Sequence, residues 1–465
     1  MKVGKMKKYD LAVIGAGSGG LVAALSANRR GLKVAMIERD KIGGECTHAG
    51  CIPSKTFISS AKLFHAMQTA DRLGLPAKHQ SDDLDFSKVM EHVNSVVQAV
   101  YQNEQPSVFQ DQGIDVYINS AGAEFISPTE IKIGKDLIQA TNTIIATGSS
   151  PRLAPHSGGD MPDVLTNNNF WDLRQLPQSI AFLGGGVISV ELGQSLARFG
   201  SDVSIIEQYP RILHVTDERV GQLASDILER EGVKIFTNSK IVNCQTLEGG
   251  KVRLFLEQNG EQKEMVVDRI FAALGRVPNI SGLELDNAGV EYNESGIKIN
   301  EYLQTTAENI YAVGDVASPA KFTHMASYQA EIALENILSG NHLLNDLSVV
   351  PWAIFMEPEI GHVGLNETQA RKKYGEVNTF QVETNSIDRF KTESETEGFL
   401  KIVMDLEDRI VGAEAIGKHA GEWIQFFTLA IKQNLPIQDL GNLIFIYPTF
   451  SEIIKKAITR YLRTK

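Results

Sequence analysis

Residues 9–20 read YDLAVIGAGSGG and decide the fold of the first part of the chain. A short apolar run of strand type enters the glycine loop, a helical pattern follows, and a second strand ends at Glu38. Gly15 permits a tight turn, Gly17 lets the backbone approach a pyrophosphate, and Gly20 lets the helix pack closely. The carboxylate of Glu38 then lies where it can accept hydrogen bonds from ribose hydroxyls. Together these features predict a βαβ unit that binds a dinucleotide.

The same pattern returns in the middle of the chain. The apolar run Ser179–Leu183 enters a second glycine loop, which contains Gly184 and Gly186. A strand then ends at Glu207, 23 positions after Gly184, and this spacing is the same as in the first copy. Ser189 stands where the third glycine is expected, which predicts slightly looser helix packing and an intact phosphate-facing turn. We therefore expect one chain to carry two nucleotide sites.

The second copy also bears on the choice of coenzyme. A carboxylate at Glu207 accepts hydrogen bonds from ribose hydroxyls but repels a 2′-phosphate. This favours NAD(H) over NADP(H). Arg211, four positions later, is a cation that can bind a phosphate, so NADP(H) stays possible.

Size, composition and charge restrict the class of protein. A chain of 465 residues exceeds what one hydrophobic core usually fills, so several domains are expected. With 43% hydrophobic and 22% charged residues, the composition is that of an ordinary globular protein. A formal charge of −12 argues against binding to nucleic acid or to an anionic membrane. The basic start leads into a strand rather than a signal sequence. We expect a cytoplasmic protein with a small-molecule partner.

A second informative stretch, GGECTHAGCIPSK at residues 43–55, contains two of the three cysteines in the chain. Cys46 and Cys51 are five positions apart, and the nearby Lys55 is a cation that can lower the pKa of a thiol. A redox-active disulfide is one interpretation. Free buried thiols, a structural staple and a zinc site are the others, and zinc is the weakest because only His48 lies between the cysteines. No metal ligand set is predicted.

Two dinucleotide units with a cysteine pair just after the first resemble the flavoprotein disulfide reductases, the class I pyridine nucleotide-disulfide oxidoreductase family. Further motifs carry the same resemblance over nearly the whole chain. They are Thr143–Gly148, Leu274–Asn279, Tyr311–Asp315 and Pro358–Gly364.

The resemblance implies an α/β fold with two Rossmann-like domains, for FAD and for NAD(P), and an α+β C-terminal dimerisation domain. The implied bounds are 1–150 and 275–345 for the FAD domain, 151–274 for the NAD(P)H domain, and 346–465 for the dimerisation domain of a homodimer. The implied cofactor-binding residues are Gly15, Gly17, Gly20, Glu38, Lys55, Thr147, Gly148, Gly275, Gly314 and Asp315 for FAD, and Gly184, Gly186 and Glu207 for the nicotinamide coenzyme.

The resemblance also implies a mechanism. Electrons pass from NADH to the flavin and then to the Cys46–Cys51 disulfide, with Cys51 as the thiolate that faces the flavin and Cys46 as the interchange thiol. Lys55 and Glu191 correspond to the family's ion pair beside the flavin. The implied activity is that of an NAD(P)H-dependent oxidoreductase acting on a sulfur group, nearest to dihydrolipoyl dehydrogenase.

The chain departs from this pattern near its C-terminus. Members that act on thiols carry a His-Pro-Thr segment followed by a glutamate, whereas this chain has Tyr447 in the place of the histidine, with Glu452 following. Tyrosine, with a reference pKa of about 10, is a poor base at neutral pH compared with histidine at about 6.5.

Two interpretations of Tyr447 stay open. Either its phenol, oriented by Glu452, donates a hydrogen bond to the substrate, or it packs at the dimer interface. The alternative functions are a mercuric-reductase-like metal or quinone reductase and a pyridine nucleotide transhydrogenase. A redox-sensing dimer without enzymatic activity is a further alternative.

Overall fold

The computed structural model describes residues 6–77, 84–153 and 164–465. The basic start of the chain, residues 1–5, lies outside the described residues. Within those ranges, every helix is too short or too polar to traverse a lipid bilayer.

The first nucleotide-binding pattern forms a mixed sheet. Its first strand leads through the glycine loop into a helix, as the sequence predicts. Its elements are β1 (Lys7–Ile14), α1 (Ser18–Arg29), β2 (Val34–Glu38), α2 (Gly44–His48), α3 (Cys51–Gln68), α4 (Phe86–Tyr101), α5 (Pro106–Gln110), β3 (Asp115–Ile118), β4 (Glu124–Ser127), β5 (Glu130–Ile133), β6 (Asp136–Ile145) and β7 (Ser149–Pro151). Strands β3, β2, β1 and β6 are parallel neighbours in that order, and β5 and β4 extend the sheet in antiparallel fashion.

The second pattern forms a separate parallel sheet. Its elements are β8 (Ser179–Leu183), α6 (Val187–Phe199), β9 (Asp202–Ile206), α7 (Glu218–Arg230), β10 (Lys234–Phe236), β11 (Ser239–Thr246), β12 (Val252–Gln258), β13 (Glu261–Val267) and β14 (Arg269–Ala272). The parallel order is β10, β9, β8, β14, and β11 to β13 form an antiparallel sheet of their own. Cys244 lies in β11 and is buried in the core.

The chain then returns to the first sheet. The returning elements are β15 (Arg276–Pro278), β16 (Tyr292–Asn293), β17 (Gly296–Ile297), β18 (Ile310–Ala312) and α8 (Thr323–Ser339). Strand β15 pairs with β7, so the outgoing and returning crossings lie side by side, and β18 pairs in parallel with β6. One nucleotide-binding unit is thus inserted into the other.

The C-terminal part folds around an antiparallel sheet in the order β19, β20, β23, β22, β21. Its elements are β19 (Trp352–Ile354), β20 (Ile360–Gly364), α9 (Glu367–Tyr374), β21 (Asn378–Glu383), α10 (Asp388–Thr392), β22 (Phe399–Met404), β23 (Ile410–Ile416), α11 (Ala420–Trp423), α12 (Phe426–Lys432) and α13 (Glu452–Leu462). These sheets confirm the predicted class of two Rossmann-like units and an α+β C-terminal unit. The exact domain bounds stay predictions.

Helix α3 is held by an aromatic cluster that joins the two nucleotide-binding units. Phe57 on α3 is fully buried, and four aromatic rings surround it with centroids 5.3 to 6.1 Å away. These rings belong to Phe86, Phe170, Trp171 and Phe199. Because Phe199 ends α6 of the second unit, α3 is packed against both units at once.

We expect Phe57→Ala to lower the free energy of unfolding by about 3–5 kcal/mol, because it removes the ring at the centre of this cluster and leaves a cavity. Urea unfolding followed by tryptophan fluorescence measures the change. The matched control is Ser59→Ala on the exposed side of the same helix, which should change stability by less than about 0.5 kcal/mol. Equal unfolding midpoints for the two variants would contradict the packing described here.

Candidate functional site

The two clustered cysteines lie at the junction of two helices. Cys46 is in the short helix α2, and Cys51 is the first residue of α3. Both are free thiols in this structure, and Cys51 is accessible at the surface of the chain. The two thiols are hydrogen-bonded to each other, so the structure brings the predicted redox pair together.

The surroundings of Cys51 stabilise a thiolate. Its pKa is lowered to about 6, first by a hydrogen bond from the thiol of Cys46, then by the hydroxyl of Thr323 and the positive charge of Lys55. The Sγ of Cys51 lies 3.4 Å from Oγ1 of Thr323. Partial burial of the sulfur and the charge of Glu191 oppose the shift. The pKa of Cys46 is raised because its proton is held in the bond to Cys51.

The predicted ion pair forms next to these sulfurs. The Nζ of Lys55 lies 2.9 Å from Oε2 of Glu191, whose side chain is buried. The other carboxylate oxygen of Glu191 accepts a hydrogen bond of 2.8 Å from the main-chain N–H of Phe355. The ammonium of Lys55 also lies 4.6 Å from the centre of the Phe355 ring. A buried carboxylate thus fixes the lysine one helical turn from Cys51.

The first glycine loop packs its backbone so closely that Gly20 and Gly44 have no space for a side chain. A Cβ on Gly20 would lie 1.8 Å from the carbonyl oxygen of Gly15, and a Cβ on Gly44 would lie 2.7 Å from Cα of Gly17. Within the described residues, α1 begins after Gly17 with no capping side chain and no acid in its first turn. Its first N–H groups are therefore available to an anion, which is what the pyrophosphate of FAD requires.

Glu38 organises this loop from the end of β2. Its carboxylate accepts hydrogen bonds from the N–H groups of Ala16 at 2.8 Å, Arg39 at 2.8 Å and Asp40 at 3.0 Å. The carboxylate therefore lies beside the loop, as the predicted ribose contact requires.

The crossing segments bring the remaining predicted FAD residues together. Thr147 and Asn279 bond reciprocally, with Oγ1 of Thr147 donating at 2.7 Å and Nδ2 of Asn279 donating at 2.9 Å. Gly148, Gly275 and Gly314 adopt positive φ values in the turns here. The Oδ2 of Asp315 accepts a hydrogen bond of 2.6 Å from Ser149.

The second glycine loop is organised like the first. The buried carboxylate of Glu207 accepts hydrogen bonds from the N–H groups of Gly185 at 2.6 Å and Tyr209 at 2.9 Å. Ser189 is fully buried and donates a hydrogen bond of 2.5 Å to the carbonyl of Gly184. The serine thus ties the helix to the loop, and the expected loosening is replaced by a specific bond. Helix α6 begins after Gly186, again with no acid in its first turn.

Comparisons with known proteins agree with this geometry. Residues 9–330 match the model of the pyridine nucleotide-disulphide oxidoreductase family, and residues 350–458 match that of its dimerisation domain. The chain belongs to this family. The match confirms the predicted family and its FAD-binding, nicotinamide-dependent class.

Similar proteins span the same length. A dihydrolipoyl dehydrogenase from Thermus scotoductus is 36% identical, with 97% of both chains covered. A mercuric reductase from Staphylococcus aureus is 32% identical, with 97% of this chain and 82% of that protein covered. Among solved structures, the Cu(II) complex of the HOCl-induced flavoprotein disulfide reductase RclA from Escherichia coli has a TM-score of 0.87 at 28% identity, covering 98% of this chain and 100% of that one.

Tyr447, which departs from the family's thiol-substrate pattern, and Glu452, which keeps it, are not hydrogen-bonded to each other within the chain. The side chain of Tyr447 is 68% exposed, and its hydroxyl donates to Oδ2 of Asp388 at 3.5 Å. Glu452 begins α13 and accepts a hydrogen bond of 3.3 Å from the N–H of Thr449. Within the single chain, Glu452 is therefore not hydrogen-bonded to the phenol, and its role in orienting Tyr447 stays a prediction.

His48 and Arg211, for which the sequence left more than one role open, both bind main-chain carbonyl groups. The Nε2 of His48 is paired with the carbonyl of Ile42 at 2.8 Å, and its ring packs edge-on against Tyr101. Across the described ranges, no group of three potential metal ligands is found. The guanidinium of Arg211 donates to the carbonyls that follow it in its own loop, which are those of Leu213, His214 and Thr216 at 2.8 to 2.9 Å.

Sequence reasoning missed Thr323 and the ion pair of Glu45 with Arg276. Thr323 lies 272 positions from Cys51, and Arg276 lies 231 positions from Glu45. The only local sequence feature that could have indicated the ion pair is the position of Glu45 directly before Cys46.

We expect Thr323→Val to raise the pKa of Cys51, because it removes a hydroxyl that stabilises the thiolate without changing the shape of the side chain. In the reduced wild-type protein, the first proton of the coupled pair should leave at about pH 6, with the charge on Cys51. The ultraviolet absorbance of the thiolate as a function of pH measures this pKa. Thr323→Ser keeps a hydroxyl and is the matched control; a Thr323→Val titration that coincides with the wild type would show that the contact has no electrostatic effect.

Proposed function

We propose that the protein is an FAD-dependent, NADH-preferring disulfide oxidoreductase most like dihydrolipoyl dehydrogenase. The observation that carries this proposal is the lowered pKa of Cys51 beside Cys46, at the point where both nucleotide-binding units meet. Reduction of the disulfide consumes NADH and one proton and yields NAD⁺ and two thiols. In the opposite direction, a dithiol substrate passes its two electrons through the same pair to NAD⁺.

FAD, when bound, supplies a two-electron carrier between the nicotinamide and the sulfurs. The residues proposed to hold it are Gly15, Gly17, Gly20, Glu38, Thr147, Gly148, Gly275, Gly314 and Asp315. The loop at Gly17 and the uncapped start of α1 support a phosphate contact, because unpaired N–H groups there favour an anion.

The side chains near the sulfurs have separable roles in this proposal. Cys51 holds a negative charge, which Thr323 and Cys46 stabilise through hydrogen bonds. Cys46, half-buried, exchanges with the substrate. Lys55 holds a positive charge near the sulfurs, and Glu191 orients the lysine because the carboxylate is itself anchored to the backbone.

The preference for NADH is supported by the second glycine loop. Glu207 presents a buried carboxylate that repels a 2′-phosphate. Arg211, the cation that NADP(H) binding would use, is committed to three carbonyl groups of its own loop.

The proposed form is a homodimer in the cytoplasm. An apolar stretch before α13 is exposed in the single chain, with Ile444 97% and Ile446 78% accessible. Large exposed apolar groups of this kind mark protein contacts. The free Cys46, Cys51 and Cys244 suit a reducing compartment.

The leading proposal makes a spectroscopic prediction. On anaerobic reduction with NADH, the wild-type protein should develop a long-wavelength charge-transfer absorbance between the Cys51 thiolate and the flavin, and Cys51→Ser should lack it. Cys244→Ser, which alters the buried third cysteine, is the matched control and should keep the band. Persistence of the band in Cys51→Ser, with FAD bound at wild-type stoichiometry, would defeat the assignment.

A second candidate function is electron delivery to a metal ion, a quinone or another nicotinamide. The exposed Tyr447 in place of a histidine base favours it, since a phenol is a poor acceptor of a thiol proton. The similarity to a mercuric reductase and to a flavoprotein solved with Cu(II) supports metal ions as acceptors.

Cys46→Ser separates the two candidates. If the substrate is a dithiol or disulfide, turnover with dihydrolipoamide or lipoamide should fall by at least about a hundredfold, because the nucleophile is lost. Steady-state assays with lipoamide, mercuric ion, quinone and both coenzymes measure this. Retained turnover with quinone or a second nicotinamide favours the second candidate, and loss with every acceptor removes it.

A further inference from the structure

Glu45, the residue before Cys46, is held by two side chains from distant parts of the chain. The guanidinium of Arg276 donates to both carboxylate oxygens, through Nη1 to Oε1 at 2.6 Å and through Nη2 to Oε2. The amide of Asn167 donates to Oε1 as well. We refer to Glu45, Arg276 and Asn167 as the Glu45 clasp.

Arg276 belongs to the crossing between the two nucleotide-binding units. It is the first residue of β15, which pairs with β7. Its Nε donates to Oγ of Ser149 at 2.6 Å, and its Nη2 donates to the carbonyl of Ser149 at 2.8 Å. The guanidinium is therefore fixed to the outgoing strand and to Glu45 together.

Asn167 belongs to the second unit. Two residues earlier, Leu165 pairs with β14 through hydrogen bonds of 2.9 Å to Ile270 and 2.8 Å from Ala272. In the same segment, the indole N–H of Trp171 donates to the carbonyl of Ala49 at 3.0 Å. The second unit thus contacts residues on both sides of Cys46, at Glu45 and at Ala49.

Helix α2 needs such external support. It has only five residues, and a helix of one turn does not persist by itself in water. Its other contacts come from the first unit: Thr47 donates to Glu104 at 3.2 Å, and His48 is paired with Ile42. The position of Cys46 is therefore set by both units, and Glu45 is linked to the second unit by the amide of Asn167 and to the crossing strand by the charge of Arg276.

The clasp also neutralises charge next to the sulfur. The side chains of Arg276 and Glu45 are 18% and 31% exposed, so solvent screens the carboxylate only in part. Unpaired, this carboxylate would disfavour a thiolate on Cys46. The bidentate guanidinium offsets that charge, although it also lies 3.5 Å from the carboxylate of Asp315, and it restricts Glu45 to one orientation.

We propose that Glu45 is a positioning residue that fixes Cys46 against Cys51. The second nucleotide-binding unit then controls the reactivity of Cys46 through Asn167, while Arg276 holds Glu45 to the crossing strands. The catalytic consequence rests on the proposed function, in which Cys46 is the interchange thiol. The position and reactivity of Cys46 can be measured without cofactor chemistry or turnover.

The test is alkylation of the reduced full-length protein by iodoacetamide, with the rate at each cysteine determined by mass spectrometry. Asn167→Ala removes one donor without changing charge. Because Cys46 is then less restrained while Arg276 still pairs with Glu45, alkylation of Cys46 should accelerate roughly threefold to tenfold. This is the range expected for the loss of one hydrogen bond to a charged group. Glu45→Gln should act in the same direction, since it weakens the clasp and removes the negative charge, and it serves if Asn167→Ala does not fold.

Cys244 is an internal control because it is buried in β11, away from the clasp. Gln175→Ala, at an exposed amide in the Asn167 segment, is the matched control variant and should leave all rates unchanged. Faster labelling of Cys46 with constant labelling of Cys244 supports the proposal. An unchanged or slower rate at Cys46 overturns it, and so does an equal acceleration at Cys244, which would indicate general loosening. Either result leaves the charge-transfer test of the proposed function unaffected.

Discussion

The packing of helix α3 between the two nucleotide-binding units is the constraint on which the site depends. Cys51, Lys55 and Phe57 lie along this helix, and each has a different role. Phe57 is enclosed by aromatic rings from both units, which fixes the helix. Lys55 can then meet Glu191 on α6, and Cys51 is held at the start of the helix. An aromatic core thus determines the geometry of a polar site.

The charged groups near the sulfurs occur in compensated pairs. Lys55 is paired with Glu191 and Arg276 with Glu45, because an uncompensated charge is costly where solvent is partly excluded. A thiolate on Cys51 is stabilised first by hydrogen bonds from Cys46 and Thr323 and then by the charge of Lys55, part of which Glu191 offsets.

Glu45 and Tyr447 bear on the choice of substrate in different ways. On the inner side, Cys46 is restrained by contacts from both units, so its chemistry depends on their relative position. On the outer side, Tyr447 is an exposed phenol bonded to Asp388. A positioned thiol beside a weak external base favours acceptors whose reduction takes up no proton, which is the physical reason for keeping metal ions beside lipoamide as candidate substrates.

The sequence determined the two βαβ units, the cysteine pair and, through the resemblance, the Lys55–Glu191 pair, since glycine spacing and strand-to-acid distance are short-range properties of the chain. Through the resemblance it also predicted an α+β C-terminal unit, whose antiparallel sheet order came from the structure. Only the tertiary structure decided that Thr323 contacts Cys51, that Arg276 and Asn167 bind Glu45, and that Glu452 bonds the main chain of Thr449. Most of these contacts join residues more than a hundred positions apart in the sequence. They depend on how the units pack, which no local sequence pattern encodes.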